Sequence, residues 1–433
     1  MPHTMPADPV TDLLTFIDSS PSPWHAGANL AARLGDAGFA ERRETDSWDI
    51  RPGGRYLVRR DESSLIAVAV GQRPSEGPIR IVGAHTDSPG LRVKPGRARE
   101  GDGMQRLGVE VYGGPILATF ADRDLTLAGR VILRGADGTD ASRLFHHPTP
   151  ICRIPNLAIH MNRTVNDEGL KLSPHDHLPL QFGDEAPGMD ALRAWLGEAL
   201  GVAPERVRAW ELGAVDTQAP TRYGRRQEFI AAPRLDNLAS CHAGLEAMRH
   251  AQPDSGLAIL AVFDHEEVGS ESFKGAASSF LPDVLGRIAR ALDMPLERQL
   301  PRSWLLSADM THARNPAFPW AYEEEDAPAV NAGPAVKINA KQRYASDAVG
   351  SAWFARLCEQ AGVPCQHYVH RVDLPCGTTI GPMAATRLGV RTVDVGNPMW
   401  AMHSIREAAG AEDHAAMIAV LRTFYDEPGA ADG

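Results

Sequence analysis

Side chains that can bind a metal ion or transfer a proton occur in four clusters, each directly after a short apolar run that is typical of a buried strand. The clusters are GAHTDSPG with His85 and Asp87, FDHEEVGS with Glu266 and Glu267, SADMTHA with Asp309 and His312, and GNPMWAMHS with His403. A fifth cluster, PRLDNLAS, places Asp236 at the start of a predicted helix. Histidine and carboxylate ligands without cysteine favour zinc, cobalt or manganese over a structural thiolate site.

Five of these side chains can form one ligand set, namely His85, Asp236, Glu267, Asp309 and His403. Carboxylates that are brought together repel one another, and some stay protonated unless cations balance their charge. Three carboxylates and two divalent cations sum to −3 + 4 = +1, and one bridging hydroxide brings this sum to zero. Because five side chains would serve two ions, one carboxylate must bridge both.

The adjacent acids Glu266 and Glu267 suit a division of labour. Neighbouring side chains point in different directions, so Glu267 can bind a metal ion while Glu266 reaches the water beside it. A carboxylate in that position acts as a general base, because a metal ion lowers the pKa of its bound water.

Each of these residues also has a simpler interpretation. A single histidine is usually packed or exposed, a Glu-Glu pair usually lies on a solvated surface, and Asp236 could be an ordinary helix cap. The coincidence of five clusters at strand ends or a helix start favours the metal site. Six histidines lack this placement and are predicted to be structural: His146, His147, His175, His177, His367 and His370.

The elements that must position these clusters alternate along the chain. Strand-like runs lie at 63–71, 78–85, 257–267, 303–310 and 390–396, and helical spacing occurs within 9–38, 236–251, 347–361 and 412–425. Continuous apolar strands that alternate with helices predict a parallel sheet covered on both faces. Open sheets of this kind bind ligands outside the carboxyl ends of their strands, where the clusters lie.

The pattern changes between about 96 and 230. Short alternating segments such as GVEVYGG and LTLAGRVILRG occur among glycines, followed by a polar, histidine-rich stretch. We therefore predict a β-rich insertion at 96–230 within a domain formed by 1–95 and 231–433. The length of 433 residues is consistent with two domains, because one hydrophobic core stops growing at roughly 250–300 residues.

The composition restricts the class of protein. With 44 basic and 55 acidic residues the formal charge is −11, which argues against nucleic acid and membrane surfaces as partners. The sequence shows neither a secretory signal nor an apolar run near the ~20 residues of a membrane helix. Five scattered cysteines without a CxxC pair argue against a disulfide framework. A cytoplasmic enzyme is expected.

Seven segments together resemble the aspartyl aminopeptidases, a family of cocatalytic zinc exopeptidases, over about residues 13–425. They are GAHTDSPGLRVKP, IPNLAIHMNR, RLDNLAS, FDHEEVGS, SADMTHARNP, GTTIGPMAA and VGNPMWAMHSIRE. The resemblance implies that His85 and Asp309 bind one zinc ion and that Glu267 and His403 bind the other. It further implies that Asp236 bridges both ions, that Asp87 orients His85, that Glu266 is the general base and that the Asp236–Asn237 peptide is cis.

The resemblance also implies a fold and an assembly. The expected fold is α/β of the zinc exopeptidase type, with a mixed, mostly parallel central sheet flanked by helices and an inserted β-rich dimerisation domain. Dimers are expected to assemble into a tetrahedral dodecamer. Within the insertion, His160 matches a histidine that reaches the active site of the neighbouring subunit, where it contacts either a metal ion or the tetrahedral intermediate. His312, Lys337 and Tyr344 match the family's substrate-binding residues.

These expectations define one function and its alternatives. The function is hydrolysis of the N-terminal residue of a peptide by water activated at two divalent ions, zinc with cobalt or manganese as alternatives. A preference for Asp or Glu is expected, with Lys337 contacting the acidic side chain. The alternatives are a related di-zinc peptidase or deacylase of different specificity, or a catalytically silent assembly protein. A panel of aminoacyl anilides assayed with and without chelator distinguishes them.

Overall fold

The computed structural model describes residues 8–96, 99–101, 103–184 and 191–427. They form two compact units. The first unit contains residues 8–87, 220–402 and 407–427, and the second contains 88–184, 191–219 and 403–406, apart from the positions outside the described ranges.

The regular elements are numbered in chain order. The helices are α1 (Pro9–Asp18), α2 (Pro23–Asp36), α3 (Val165–Glu168), α4 (Ala191–Leu200), α5 (Leu235–His250), α6 (Phe280–Ala291), α7 (Leu296–Gln299), α8 (Ala348–Ala361), α9 (Ile380–Leu388) and α10 (Ala411–Asp426). The strands are β1 (Ala40–Glu41), β2 (Arg55–Arg60), β3 (Ser64–Val70), β4 (Ile79–His85), β5 (Gly90–Val93), β6 (Arg99–Gly101), β7 (Met104–Leu107), β8 (Val109–Tyr112), β9 (Leu125–Arg134), β10 (Asp140–His146), β11 (Leu180–Gly183), β12 (Val207–Asp216), β13 (Thr221–Tyr223), β14 (Phe229–Ala232), β15 (Leu257–Phe263), β16 (Trp304–Ala308), β17 (Thr311–His312), β18 (Ala335–Ile338), β19 (Gln366–Val369), β20 (Arg391–Gly396), β21 (Pro398–Trp400) and β22 (Glu407–Gly410).

The first unit is built on a nine-stranded sheet in the order β1-β2-β3-β15-β4-β16-β20-β18-β19. Its centre, β15-β4-β16-β20, is parallel throughout, whereas β3 and β18 pair antiparallel to their neighbours at β15 and β20. Phe263 at the end of β15 lies opposite His85 at the end of β4. The carboxyl ends of the central strands therefore meet at one edge, and the predicted mixed α/β fold is confirmed.

Helices cover both faces of this sheet. Residues of α1, α2, α5, α8 and α10 pack on one face, and residues of α6 and α9 pack on the other. The alternation of side chains along each strand divides its residues between the two cores. In β15, Leu260 and Val262 face the first group of helices, while Ile259 and Phe263 face the second. Burial on both faces explains why the central strands are apolar at almost every position.

The start of the chain follows its local sequence signals. Asp8 accepts a hydrogen bond from the backbone N–H of Val10 at 3.1 Å and caps α1, and Ser22 caps α2. Pro9 and Pro23 stand at the first helical positions, where a missing N–H costs nothing. The helical spacing predicted within 9–38 therefore corresponds to two helices, α1 and α2.

The second unit consists mainly of β-strands. One sheet has the order β10-β9-β12-β5-β8, a smaller one has the order β11-β7-β6, and α4 contributes Leu192 and Leu196 to the same core. Gly129 in β9 has φ +156°, and a Cβ there would lie 1.9 Å from the carbonyl oxygen of Glu211 in β12. Only glycine permits this close approach of the two strands.

The limits of the two units differ from the predicted boundaries at 95/96 and 230/231, because strand pairing decides them. β5 precedes residue 96 but pairs with β8 and β12 of the second unit. β13 precedes residue 231 and β14 spans it, but β14 pairs with β13 and with β22 in the first unit. Among the described residues, no helix combines the length and apolarity needed to span a bilayer.

Candidate functional site

Three of the predicted metal ligands meet at the carboxyl edge of the central sheet. His85 is the last residue of β4, Asp309 directly follows β16, and Asp236 lies in the first turn of α5. The Nε2 atom of His85 is 3.4 Å from Oδ1 of Asp236 and 3.4 Å from Oδ1 of Asp309. All three side chains are buried. The parallel order of β4 and β16 explains how residues 224 positions apart come together.

Asp236 is held in a conformation that an ordinary helix cap does not need. The Asp236–Asn237 peptide is cis, as the family resemblance implied. The N–H of Asp236 donates to Oε2 of Glu407 at 3.0 Å, and the side-chain amide of Asn237 donates to the carbonyl oxygen of Ala308 at 2.9 Å. These bonds fix the start of α5 against β16 and β22, so the backbone of Asp236 is fixed beside His85.

Asp87 contacts three of the predicted site residues at once. Its backbone carbonyl lies 3.0 Å from Nδ1 of His85, and its Oδ1 lies 3.5 Å from the same atom. Its carboxylate also accepts the N–H of Glu266 on Oδ1 at 3.1 Å and the N–H of Glu267 on Oδ2 at 3.2 Å. The sequence predicted the contact with His85. The two hydrogen bonds to the glutamates join residues about 180 positions apart, and no pattern in the sequence predicts them.

Glu266 and Glu267 occupy a short 3-10 turn, Glu266–Val268, and complete what we call the His85 cluster: His85, Asp236, Glu266, Glu267 and Asp309. Oε2 of Glu266 lies 3.9 Å from Nε2 of His85. Burial, followed by the nearby carboxylates, raises the pKa of Glu266 to about 8. Burial and then the charge of Asp236 raise the pKa of Glu267 well above its ordinary value.

The charges of the His85 cluster fit divalent cations. Burial disfavours the charged imidazole, but the carboxylates, first among them Glu266, still raise the pKa of His85 well above its ordinary value. Four carboxylates lie close to one imidazole, and they can all be ionised together only if cations balance their charge. Oxygen and imidazole-nitrogen ligands are the donor set that zinc, cobalt and manganese accept.

Two predicted residues belong to the second unit. His403 has φ +69°, and its Nδ1 lies 3.1 Å from the carbonyl oxygen of Gly114 in the same unit. His160 is exposed in a turn. The assignment of His403 as a metal ligand and of His160 as a contact to a neighbouring subunit both stay predictions.

The predicted substrate-binding residues lie next to Asp309. The Nζ atom of Lys337 is 3.1 Å from Oδ2 of Asp309 and lies 5.4 Å from the ring centre of Tyr344. The ring of His312 is 5.5 Å from that of Tyr368, a residue that the sequence reasoning missed. Strand pairing of β18 with β19 sets Lys337 opposite Tyr368. Aromatic and cationic groups therefore line the region beside Asp309.

The match to a known family covers most of the chain. The family model described as "Aminopeptidase I zinc metalloprotease (M18)" matches residues 16–425. The chain belongs to the M18 aminopeptidase family. This family includes the aspartyl aminopeptidases, so the resemblance found in the sequence is confirmed. The chain is accordingly a zinc-dependent aminopeptidase, a hydrolase.

Relatives of known sequence or structure support this membership. A "Probable M18 family aminopeptidase 2" of Pseudomonas paraeruginosa is 48% identical over 419 residues, which is 95% of this chain and 97% of the relative. The structure of an Ape4 and Nbr1 complex superposes with a TM-score of 0.93 at 35% identity, covering 96% of this chain and 85% of the other. The mApe1 dodecamer of S. cerevisiae gives 0.84 at 26% identity, covering 96% of each chain.

This M18 aminopeptidase contains a second group of ligand-type side chains in the first unit, which we call the Asp12 network: Asp12, Arg33, His242 and His414. Oδ2 of Asp12 lies 2.8 Å from Nε2 of His242 and accepts a hydrogen bond from Arg33 at 2.8 Å. Nδ1 of His242 lies 2.8 Å from Nε2 of His414. The guanidinium of Arg33 also lies 3.5 Å from Nε2 of His242, so a cation of the chain itself lies beside both ligand atoms. We assign this group as an ion-pair network.

The Asp12 network predicts a pH-dependent contribution to stability. The hydrogen bond from His242, and then that from Arg33, hold the pKa of Asp12 well below its ordinary value. A carboxyl with a lowered folded-state pKa stabilises the fold above its unfolded pKa of about 3.9, and this contribution disappears as the pH falls below that value. We expect Asp12→Asn to lower the free energy of unfolding by about 1 kcal/mol at pH 7, and by progressively less below pH 4.

Thermal melting of the wild type and of Asp12→Asn between pH 2 and 7 measures this effect. Asp18→Asn, an exposed change on the same helix, is the matched control. A difference between Asp12→Asn and the wild type that does not change with pH would contradict the prediction.

Proposed function

We propose that this M18 aminopeptidase removes an N-terminal Asp or Glu from peptides, using water activated at two divalent ions. The observation that carries the proposal is the His85 cluster, in which Asp236 and Asp309 approach one imidazole nitrogen and Asp87 holds the backbone of both glutamates. This arrangement combines a ligand set with an acid–base group in a fixed geometry.

The residues that would hold the ions follow from the family resemblance and suit the donor atoms present. His85 and Asp309 would bind one ion, Glu267 and His403 the other, and Asp236 both. Zinc is the expected metal, with cobalt and manganese as alternatives. When bound, such ions polarise the scissile carbonyl and make water acidic enough to lose a proton near neutral pH.

The chain itself moves the proton. Oε2 of Glu266 takes a proton from the attacking water and delivers it to the departing amine. The carboxylate of Asp87 restrains the backbone on both sides of Glu266, because it accepts the N–H of Glu266 and the N–H of Glu267. The backbone carbonyl of Asp87 at the same time orients His85 through its Nδ1 atom.

Lys337 would supply the preference for an acidic first residue. Its ammonium group has three N–H donors, and Asp309 accepts one of them at 3.1 Å. The remaining donors suit a substrate carboxylate, and burial of Lys337 strengthens such a contact. His312, close to Asp309 in sequence, and Tyr344 beneath the ammonium would complete the substrate site.

The assembly proposed for this chain follows its relatives. The mApe1 protein of S. cerevisiae forms a dodecamer. We propose the same assembly here, built from dimers of a zinc exopeptidase fold in which the mostly β insertion is the dimerisation domain. His160 would then reach the active site of a neighbouring copy. A cytoplasmic location is part of the same proposal.

A substrate panel tests the function. We expect kcat/KM for Asp- and Glu-anilides to exceed that for Leu- and Lys-anilides, in the presence of zinc, cobalt or manganese. We expect Lys337→Met to lower kcat/KM for the acidic anilides by about 10–100-fold, because a charge-assisted hydrogen bond is lost.

The neutral Leu-anilide is the internal control. Since Lys337 also contacts Asp309, an equal loss on the acidic and the neutral substrates would mean that the variant disturbs Asp309 and would contradict the selectivity role. A broad or basic preference would favour a related di-zinc peptidase, and cleavage of N-acetylated peptides would favour a deacylase. A metal-loaded protein inert on every peptide would favour a silent assembly protein.

A further inference from the structure

The loop that carries the two glutamates, residues 264–275, is closed at its ends by a buried ion pair. Asp264 directly follows β15, and the Nζ atom of Lys274 lies 2.8 Å from its Oδ2. The hydroxyl of Ser64 in β3 connects the same two residues a second time. It accepts the N–H of Asp264 at 2.9 Å and donates to the carbonyl oxygen of Lys274 at 2.9 Å. The two ends of this 264–275 loop are thus joined to each other and to the central sheet.

Both charges of this pair are withdrawn from water. Lys274 is 2% exposed and Asp264 is fully buried. The ammonium group also donates to Oδ2 of Asp61 at 2.7 Å and to the hydroxyl of Ser63 at 3.0 Å. Its Nζ atom lies 5.3 Å from the ring centre of Trp24. Loss of one partner of a buried pair leaves an uncompensated charge, and that charge moves towards water or another partner if the backbone allows it.

The backbone that would move is at His265, directly before Glu266, and it sets the direction of the Glu266 side chain. Oδ1 of Asp264 accepts the N–H of His265 at 2.8 Å, and His265 has φ +66°, so this hydrogen bond sets the first peptide of the turn. Glu266 and Glu267 follow immediately in the Glu266–Val268 turn. On the far side, the N–H of Ser270 donates to the carbonyl oxygen of His265 at 2.8 Å and closes the turn.

We propose that Lys274 is a positioning residue for Glu266, acting through the charge of Asp264. The ammonium group neutralises Asp264 and keeps its carboxylate directed at the N–H of His265. The next residue therefore presents its side chain to the His85 cluster in a single orientation. This inference rests on the proposed role of Glu266 as general base, and it gives Lys274 no contact with substrate.

Three variants test the inference on the holoenzyme with its best aminoacyl anilide. Lys274→Met removes the charge and keeps an unbranched side chain, and we expect kcat to fall about 10–100-fold while KM and bound metal stay within about threefold. Lys274→Met combined with Asp264→Asn removes both charges and keeps an oxygen acceptor for His265. We expect this double variant to recover kcat to within about fivefold of wild type.

Asp61→Asn is the control variant, because it removes the more exposed partner of Lys274 and leaves Asp264 paired. We expect its kcat to stay within about threefold of wild type.

The outcomes separate positioning from general stability. Full kcat in Lys274→Met overturns the proposal, and so does a double variant no faster than the single one. An equal loss of kcat in Asp61→Asn, matched by an equal fall in melting temperature, also overturns it, because the effect would then follow stability. If Lys274→Met does not fold, Lys274→Gln is measured with the same expectations. Glu266→Gln in the same assay separates this inference from the proposed function. An active Glu266→Gln variant would contradict the role of Glu266 as general base. An inactive Glu266→Gln variant together with a fully active Lys274→Met variant would contradict only the role of Lys274.

Discussion

We expect Glu266→Gln to lower kcat by about 10²–10⁴ while the bound metal stays unchanged. The amide keeps the size of the side chain but cannot take up a proton. Because Asp87 binds the N–H of residue 266, and not its side chain, the turn and the neighbouring Glu267 stay in place in the variant. Steady-state kinetics on an Asp-anilide, together with elemental analysis of the purified protein, measures both quantities.

Glu271→Gln is the matched control, since Glu271 is an exposed acid in the same loop. It should keep wild-type kinetics and metal content. Near-normal turnover by Glu266→Gln would show that another group accepts the proton. A fall in activity that comes with loss of metal would instead mean that Glu266 is a ligand.

The second large effect concerns the metal ions. Dialysis against a strong chelator should lower activity by at least about 10³-fold, because both the carbonyl and the water lose an electrostatic partner worth several kcal/mol. Zinc, cobalt or manganese should restore it. His85→Ala should lose activity to the same extent without restoration, since His85 stands within 3.4 Å of two other predicted ligands.

His367→Ala is the control for this experiment, because His367 is exposed on β19 and outside the predicted ligand set. It should bind as much metal as the wild type. We further expect chelation to lower the melting temperature, since ions that bind only the folded chain stabilise it. Activity that survives complete removal of metal would contradict the proposed mechanism.

The sequence predicted the parts of the fold that depend on local patterns. The apolar runs ending at His85 and Asp309 became parallel neighbours β4 and β16, and this explains why the side chains after them meet. Helix α6 lies outside the predicted helical ranges, although Leu281, Val284, Leu285 and Ile288 have helical spacing and are buried. Helix α9 is not predicted for a different reason. Gly381 and Pro382 lie in its first turn, and both residue types disfavour helix in sequence patterns.

Contacts between distant segments could not be predicted in this way. Lys337 contacts Asp309 because β18 and β16 both flank β20. The spacing of residues along the chain does not predict this strand order. The same holds for the ends of the β-rich insertion. β5 lies before the predicted boundary at 95/96 but joins a sheet of the second unit, and β14 spans the predicted boundary at 230/231 but joins a sheet of the first unit. Sequence patterns pointed to His85, Asp236 and Asp309, which the structure brings together, and tertiary pairing determined how each is held.

The two hydrogen bonds that Asp87 accepts have a consequence for how this enzyme can change over evolutionary time. One carboxylate binds the N–H groups of two successive residues. The proposed proton acceptor, Glu266, and the predicted metal ligand, Glu267, are therefore held as direct neighbours in the chain. An insertion or deletion of a single amino acid at 266–267 would break both anchors together. Selection can therefore substitute either side chain without removing these backbone hydrogen bonds, but it cannot change the number of residues at 266–267 without losing them.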